Sequence, residues 1–492
     1  MLTTVLVVLV LVVAFGFIRA GDRSRSIPLT LEVVGDVRQR LAVTGPGDLD
    51  METETLPLGE RTVEAVSLEP LLEAVAPTSP EFRLLLIGRD GRSAVMCNTH
   101  LSVSRIGFGD KHGWEMINEN HPPSGNIKNL ATIVVIDDTL TPEKSFNVIQ
   151  PGHNLVRSSV GEMFARGYRV VYDLRGVSTQ QHEGVDLEVT SLDRRRVVDL
   201  DDVLHPAQLD GALVVGERGE ISGLRQDGQM ILGSNQISYW VGGEIEIDDV
   251  RGLVLDPPEK MITDVYHDTM QLLDDGEQVL LILVDGLGYH QYTHVVDNGR
   301  APFMASLPQP MMAMNAYPAV TPVNVAAALT GVTPDVNGIY RRGLRTPEVP
   351  TIFARTAEEE RKATAIMGPI QVMDLEIPAV LCTDTNDDGS TDDEILEAAL
   401  ERMDDDYDLL LVHFKDVDRA GHNYGDLAGE TLEQIRRIDG YVDQLVSRWQ
   451  GKVVIFSDHG MHTTEDGGDH GWLITEDMFT PYWLLDGGEI DE

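Results

Sequence analysis

The chain has 492 residues, with 81 acidic and 38 basic side chains, a formal net charge of −43 and a pI of about 4.5. This charge repels phosphate backbones, so duplex nucleic acid is excluded as a partner. It suits a high-salt milieu, where salt screens the repulsion between surface carboxylates, so a halophilic source is expected.

The N-terminus contains an uncharged apolar run, Leu2 to Ile18 (LTTVLVVLVLVVAFGFI). As a helix it would extend about 25 Å, close to the lower limit for crossing a bilayer. No basic residue precedes it and no small-residue cleavage site follows it, so residues 1–26 are predicted to be an uncleaved single-pass anchor, with a removed signal peptide as the alternative. Arg19, Arg23 and Arg25 follow the run, and by the positive-inside rule they would hold the rest of the chain in the cytoplasm.

Two β-rich segments follow, at residues 27–140 and 141–255, each with short strand-like runs separated by turns. In the first, VEAVSLEPLL is followed by LLLIGRDG, and in the second RVVDLDDVL is followed by ALVVGERG. In both pairs an apolar strand ends in Gly-x-x-Gly at a comparable distance after a leucine-rich helical turn. The second segment is therefore predicted to be a degenerate copy of the first, with chance similarity of short β-rich segments as the alternative.

The first β-rich segment also resembles the molybdopterin-binding domain of sulfite-oxidase-like enzymes, through the stretch GNIKNLATIVVID that closes it. No cysteine stands where a molybdenum ligand would be expected. The resemblance therefore implies a shared fold alone.

The pattern changes after DPPEK, at residues 256–260, and the new pattern continues to residue 492. Continuous apolar runs such as QVLLILVD, DLLLVHF and KVVIFSD alternate with amphipathic helical patterns. This alternation predicts an α/β domain with a mostly parallel, doubly wound sheet that is covered on both faces. In such sheets functional sites lie at the carboxyl ends of the strands.

Aspartate and histidine side chains follow three of these apolar strands. They are Asp285, Asp418, His422, Asp458, His459 and, shortly afterwards, His470. A single aspartate after a strand is ordinarily a turn or cap residue, and a single loop histidine is ordinarily structural. Three of each at one sheet edge are enough for two three-ligand divalent metal sites with open positions for water and substrate.

The stretch YPAVTPVNVAAALTG places Thr321 at the N-terminus of a predicted alanine-rich helix. As structure, Thr321 is predicted to be the N-cap and Pro322 the first helical residue. A helix N-terminus also favours bound phosphate, so the Thr321 hydroxyl is at the same time a candidate nucleophile.

These motifs together resemble the alkaline phosphatase superfamily, specifically its type I phosphodiesterase and nucleotide pyrophosphatase branch. The resemblance is carried, in order, by LVDGLG, YPAVTPVNVAAALTGVTPDVNGI, DVDRAGHNYG and SDHGMHTTEDGGDHG, between about Val279 and Gly487. It implies an alkaline-phosphatase-like catalytic domain with Thr321 as the nucleophile. On one metal ion it places Asp285, Thr321, Asp458 and His459, and on the other Asp418, His422 and His470.

The chain departs from that pattern beyond the threonine, where the phosphodiesterase branch usually has an asparagine that holds a phosphate oxygen. Here NGIYRRGL brings Arg341 and Arg342, candidate substrate-binding residues. A guanidinium holds two phosphate oxygens at once, which would favour a monoester. His462 competes with His470 as a ligand, and His470 is preferred because GDHGW matches the final histidine-glycine pair of the family.

The stretch DTNDDGSTDDE begins like a calcium loop, with Asp384, Asn386 and Asp388 at ligand spacing. Its twelfth position is Ile395, where a bidentate glutamate belongs. A turn that leads into an acid-started helix is the favoured interpretation, and Ca²⁺ is not expected to bind there.

The leading hypothesis is a membrane-anchored hydrolase of phosphate esters, with two divalent ions, zinc or else manganese, and a diester or pyrophosphate bond favoured. Its substrate would be a small phosphate ester or a lipid head group. The alternatives are a phosphomonoesterase, a transferase that moves a phospho-alcohol from lipid to glycan, and, as a non-enzyme, a surface interaction protein. The family resemblance implies an extracytoplasmic catalytic domain, against the arginines after the anchor, so its facing stays open.

Overall fold

The structure is a computed structural model that describes residues 30–48, 52–99, 101–109, 112–119, 121–200, 204–205 and 208–488. The predicted anchor at Leu2 to Ile18 lies outside these residues. Within them, no helix combines the length and the apolar character that crossing a membrane would require.

The described residues form strands and helices along the whole chain. In chain order the strands are β1 (Leu31–Gly35), β2 (Leu41–Val43), β3 (Glu54–Leu58), β4 (Arg61–Ser67), β5 (Phe82–Gly88), β6 (Ser93–Cys97), β7 (Ser104–Gly109), β8 (Gly113–Asn118), β9 (Leu130–Asp137), β10 (Phe146–Gln150), β11 (His153–Ser158), β12 (Arg169–His182), β13 (Val185–Val198), β14 (Leu213–Gly216), β15 (Ile221–Gly223), β16 (Gln229–Leu232), β17 (Ile237–Val241), β18 (Glu244–Ile247), β19 (Val250–Val254), β20 (Lys260–Met261), β21 (Val279–Val284), β22 (Met311–Met314), β23 (Ala363–Met367), β24 (Ala379–Leu381), β25 (Leu409–Phe414), β26 (Lys452–Phe456), β27 (His462–Thr464), β28 (Gly467–Asp469) and β29 (Phe479–Asp486). The helices are α1 (Leu68–Val75), α2 (Val160–Arg166), α3 (Asp264–Asp274), α4 (Tyr289–Asp297), α5 (Pro302–Ser306), α6 (Thr321–Thr330), α7 (Pro334–Asn337), α8 (Ile352–Glu358), α9 (Asp392–Arg402), α10 (Asp416–Tyr424), α11 (Gly429–Arg448) and α12 (Thr475–Met478).

The first of two compact units combines the chain up to Thr139 with helix α2. Its sheets have the strand orders β2-β1-β9-β5-β6 and β3-β4-β7-β8, and their apolar faces share one core with helix α1. Helix α2 joins this unit through Asp36, whose carboxylate accepts hydrogen bonds from the N–H groups of Gly161 and Asp137 at 3.0 and 2.8 Å. Gly161 permits this approach, because an added Cβ would lie 2.3 Å from the carbonyl oxygen of Val135.

The β-rich part of the second unit contains a sheet of order β11-β10-β19-β14-β15. In this sheet β10 pairs antiparallel with β11 and parallel with β19, and β14 pairs antiparallel with β19 and β15. Strands β1, β2, β9, β5 and β6 of the first unit pair in the same order and with the same senses. This common topology favours the predicted repeat, which stays a prediction.

The second unit also contains an eight-stranded sheet of order β20-β22-β29-β26-β21-β25-β23-β24. Strand β21 runs parallel to β25 and β26, whereas β29 is antiparallel to β26 and β22. All six residues of β21 are buried, because helices and loops cover both faces of the sheet with separate apolar cores. The predicted mixed α/β fold is confirmed.

One apolar cluster joins the second β-rich segment to the loops of the eight-stranded sheet. Ile149, Val215 and Val254 from strands β10, β14 and β19 pack in the same cluster as Tyr317 and Leu473. We call this cluster, whose other members are Met314, Ala319, Met478 and Phe479, the bridging core. The predicted domains 141–255 and 256–492 therefore lie in one compact unit, and a division between them stays a prediction.

Candidate metal and phosphate site

Parallel strands of the eight-stranded sheet deliver polar side chains to one edge. Asp285 follows β21, Asp458 and His459 follow β26, and helix α10 after β25 carries Asp418 and His422. The backbone segments that follow β21 and β25 are linked directly, since the N–H of Asp418 donates to the carbonyl of Asp285 at 3.1 Å. Gly286 makes room for this contact, because its φ is +80° and an added Cβ would lie 2.8 Å from the Cα of Asp418.

His459 lies at the centre of this group and is fully buried. Its Nε2 atom is 3.3 Å from Asp285 Oδ1, 3.6 Å from Asp458 Oδ2 and 3.9 Å from Asp418 Oδ1. The ring of His470 stacks on the ring of His459 at 3.6 Å, and His470 Nε2 lies 3.6 Å from the same Asp418 oxygen. Five of the six aspartates and histidines that the sequence singled out thus converge on one small volume.

Three histidines of the site present the same ring nitrogen to its centre. The Nδ1 atoms of His422, His459 and His470 lie 3.0, 2.9 and 2.8 Å from the carbonyl oxygens of Gly468, Gly460 and Ala319. A carbonyl oxygen only accepts hydrogen bonds, so each Nδ1 is the protonated nitrogen. In the neutral form of each ring Nε2 therefore carries the lone pair, the atom through which a histidine binds a metal ion; in His470 this atom accepts a hydrogen bond from Arg342 at 2.9 Å.

His413, the last residue but one of strand β25, is a site residue that the sequence did not reveal. It is buried, and its Nε2 donates to Asp285 Oδ2 at 2.9 Å, which turns Oδ1 of Asp285 toward His459. In the sequence LLLVHF, His413 is a single polar residue in an apolar strand. That interruption of the apolar pattern was the available signal.

Three carboxylate oxygens at the centre are buried without a hydrogen-bond donor. They are Asp285 Oδ1, Asp418 Oδ1 and Asp458 Oδ2. Burial, together with the charge of Asp285, raises the pKa of Asp458 to about 8 and that of Asp418 to about 6. Burial alone would lower the pKa of His459, but the carboxylates of Asp458 and Asp285 raise it to about 10. The group therefore has an excess of negative charge that a cation would neutralise.

The donor set fits divalent metal ions. Two groups of three side chains each bring one ligand atom within 4.8 Å of the others: Asp285, Asp458 and His459 in the first, and Asp418, His459 and His470 in the second. Mixed imidazole and carboxylate ligands are typical of zinc and related ions. The three buried carboxylate oxygens that lack a hydrogen-bond donor support the same conclusion, because a bound cation would give them a partner.

Thr321 is not the helix cap that the sequence predicted. Helix α6 begins at Thr321 itself, and Val320 occupies the cap position. The Val320 carbonyl accepts from the N–H groups of both Val323 and Asn324 at 3.1 Å, so these groups do not face a bound phosphate. The Thr321 hydroxyl instead lies 3.2 Å from Nε2 of His459, at the edge of the aspartate and histidine group.

A pocket of about 270 Å³ opens beside Thr321, with Asp285 and Asp418 in its wall. Arg342 lines it as predicted, and its guanidinium donates to His470 Nε2 at 2.9 Å. Two further cations in the wall, Lys415 and Arg345, were missed by the sequence analysis. Lys415 directly precedes the DVDRAGH motif in a lysine-poor chain, which was the available signal. Arg341 is exposed and is not among the residues that line this pocket.

Two other candidates lie apart from the ligand groups. His462 hydrogen-bonds through Nδ1 to Asp477 Oδ1 at 2.8 Å and packs on Trp472, whereas His470 is in a ligand group. In the acidic loop, the side-chain oxygens of Asp384, Asn386 and Asp388 accept from the N–H groups two to five residues ahead, as in ordinary turns. The expectation that Ca²⁺ does not bind there stays untested.

Comparison with known proteins identifies a family over part of the chain. Residues 372–484 match the family described as type I phosphodiesterase / nucleotide pyrophosphatase, which confirms the predicted resemblance over that range. The match includes Asp418, His422, Asp458, His459 and His470. It does not include Asp285 or Thr321. The resemblance of the first β-rich segment to molybdopterin-binding domains has no support from these comparisons.

Among curated proteins, the catalytic subunit of human GPI ethanolamine phosphate transferase 3 is 34% identical over 94 residues, which are 18% of this chain and 9% of that protein. GPI ethanolamine phosphate transferase 3 of Eremothecium gossypii is 32% identical over 106 residues, 20% of this chain and 10% of that protein. The chain thus matches about a tenth of the length of these relatives.

Among solved structures, murine ectonucleotide pyrophosphatase / phosphodiesterase 5 is similar at 15% identity and a TM-score of 0.33, over 38% of this chain and 58% of that one. The human protein of the same name is similar at 18% identity and a TM-score of 0.32, over the same shares of the two chains.

Proposed function

We propose that this protein is a metal-dependent phosphoric ester hydrolase in which Thr321 is the nucleophile. The observation that carries the proposal is the position of the Thr321 hydroxyl, 3.2 Å from the central His459 and in the wall of a pocket that also contains Arg342 and Lys415. A nucleophile, metal ligands and phosphate-binding cations thus surround one space. The family match over residues 372–484 supports phosphoric ester chemistry.

The proposed ligands of one ion are Asp285, Thr321, Asp458 and His459, and those of the other are Asp418, His422 and His470. Zinc is favoured because the ligands are imidazoles and carboxylates, and manganese is the alternative. When bound, the two ions would lower the pKa of the threonine hydroxyl and neutralise charge on the phosphate oxygens. His413 would hold Asp285 in the orientation that binding requires.

The reaction would proceed in two displacements at phosphorus. Thr321 Oγ1, having lost its proton, attacks the phosphorus atom, and the bond to the leaving alcohol or phosphate breaks on the opposite side. A water molecule then attacks the same phosphorus, the bond to Oγ1 breaks, and Thr321 regains a proton. Each displacement inverts the configuration, so the overall result is retention.

Arg342 is expected to hold the non-bridging oxygens of the phosphate. Arg342→Ala should lose about ten- to a hundredfold in activity, and more on an aryl monoester than on a diester, because a charge-assisted bidentate contact is worth roughly 1.5–3 kcal/mol and a monoester carries the larger charge. The measurement is kcat/KM on both substrates, side by side.

Arg341→Ala is the matched control, since it removes the same charge from the neighbouring exposed position and should change both rates less than about twofold. Arg342→Ala should also keep its bound metal, because Arg342 donates to His470 and is not itself a ligand. Equal losses in the two variants would contradict the assignment of Arg342.

The second candidate function is transfer of a phospho-alcohol to an acceptor, and the names of the two curated relatives favour it. A phosphorylated threonine would then be attacked by an alcohol where hydrolysis uses water. The test measures bound metals in the purified chain and assays mono- and diester phosphates with and without an alcohol acceptor. Release of phosphate products regardless of acceptor supports hydrolysis, and a transfer product in excess of hydrolysis supports the transferase. A metal-free protein without either activity would favour a surface interaction role.

A further inference from the structure

Strands β12 and β13 form a long hairpin that extends from the second β-rich segment. Each strand has 14 residues, about 45 Å when extended. Glu183 and Gly184 connect them, both with positive φ (50° and 80°), as a tight two-residue hairpin turn requires. Only Val197 and Val198 of β13 pair onward, with β16, so both edges of the outer hairpin are open among the described residues.

The hairpin exposes an unusual amount of apolar surface. Eight of the eighteen large exposed apolar side chains in the described part of the chain belong to it. Tyr172, Leu174 and Leu192 are 63%, 65% and 53% exposed, and Leu174 pairs directly with Leu192. A bulge between Leu174 and Gly176 shifts the alternation by one residue, so Val177 also lies on this face. We call Val170, Tyr172, Leu174, Val177 and Leu192 the hairpin patch.

The base of the hairpin is held in place, which makes the patch a stable feature of the unit. On the opposite face, the Arg195 guanidinium lies 3.8 Å above the ring of Trp240 in β17 and 2.8 Å from the Asp173 carboxylate. The face that bears the hairpin patch also carries Arg194 and Arg196, which pair with Tyr172 and Val170. A β-sheet face that is fixed in position and leaves several large apolar side chains exposed is typical of an interaction surface.

The charge of the hairpin indicates what covers the patch. Between residues 169 and 198 five arginines balance five acidic side chains, in a chain whose net charge is −43. Two copies of the chain repel each other elsewhere, but they can approach through a neutral element. The tip, with Gln180, Gln181, His182 and Glu183, is polar, so it is not built to enter a bilayer.

We propose that the hairpin patch is the contact between two copies of this chain. In a two-fold arrangement the patch of one copy covers the identical patch of the other, which buries Leu174 and Leu192 on both sides. This inference is independent of the catalytic function, because none of the hairpin residues lines the pocket beside Thr321.

The test uses the full-length chain in a mild detergent, with its oligomeric state measured by sedimentation velocity and light scattering in low and in molar salt. The wild type should be a dimer at high concentration, more strongly in high salt because screening reduces the repulsion. The double variant Leu174→Thr, Leu192→Thr removes four apolar side chains from a dimer and should weaken association roughly 100-fold or more. Threonine retains a high strand propensity, so the hairpin should still form.

The matched control is Leu187→Thr, Val189→Thr, which changes two exposed apolar residues on the opposite face of the same hairpin. It should dimerise like the wild type, and at a concentration low enough for all three proteins to be monomers they should have the same unfolding temperature. A wild-type monomer at every concentration, or a dimer that the patch variant leaves unchanged, would overturn the proposal. Co-flotation with neutral or anionic phosphatidylglycerol-containing vesicles that depends on Leu174 and Leu192 would also overturn it, in favour of a lipid surface.

Discussion

Thr321→Ala and Thr321→Val are expected to lose activity by roughly 10⁴-fold or more while folding normally and retaining divalent ions through the aspartate and histidine ligands, with weaker binding at the one ion that Thr321 is proposed to contact. Removal of a covalent nucleophile has effects of this size when the rest of a site is intact. Valine is the sharper variant, because it keeps the shape of threonine and lacks only the hydroxyl that faces His459. Helix α6 takes its cap from Val320, so the free energy of unfolding should change by less than about 0.5 kcal/mol.

Thr321→Ser is the matched control and should retain much of the activity, since it restores an oxygen at the same position. A substrate that is chiral at phosphorus provides the independent readout. Retention of configuration is expected for the wild type and for the serine variant. Net inversion would show that water attacks phosphorus directly, and Thr321 would then have no covalent role.

Asp458→Asn is expected to abolish activity and to weaken divalent ion binding by more than about a hundredfold. Even the substitution of a residue that only hydrogen-bonds to a metal ligand lowers metal affinity about 10- to 100-fold. In the metal-free protein, by contrast, Asp458→Asn should not reduce stability. Asp458 is fully buried, its pKa is raised to about 8, and Oδ2 has no donor, so above that pH an amide removes an uncompensated charge and should leave the unfolding temperature equal or higher. Zinc should then raise the unfolding temperature of the wild type and have little effect on the variant.

Asp439→Asn serves as the control for this experiment, because Asp439 is another buried carboxylate, and it accepts from the N–H groups of Phe303 and Met304. This substitution should lower stability and leave zinc binding unchanged. If both variants kept their full metal content, Asp458 would not be a ligand.

The site could be predicted from the sequence where its residues follow apolar strands. Asp285 comes directly after β21, and Asp458 and His459 come one residue after β26. The carboxyl edge of a parallel sheet brings such positions together whatever the conformation of the loops. The structure places them within a few ångströms, as that principle requires. Their proposed division between two ions was taken from the family resemblance, and it stays a proposal.

Other parts depended on distances that a sequence does not contain. Arg341 and Arg342 are adjacent and chemically identical, and only the path of the loop decides that Arg342 lines the pocket. His413 looks like an irregularity in an apolar strand until its partner Asp285 is seen on the neighbouring strand. Thr321 was assigned to the cap because Ser and Thr commonly cap helices, but here the chain starts its helix one residue earlier.

The bridging core bears on how such a chain can evolve. Strands β10, β14 and β19 supply part of the packing beneath Tyr317 and Leu473, and these two residues lie four positions before Thr321 and three positions after His470. A segment that packs in this way is not a module that recombination can exchange freely. Its loss or replacement would reshape the loops that carry Thr321 and His470, so the second β-rich segment and the α/β region are expected to be inherited together.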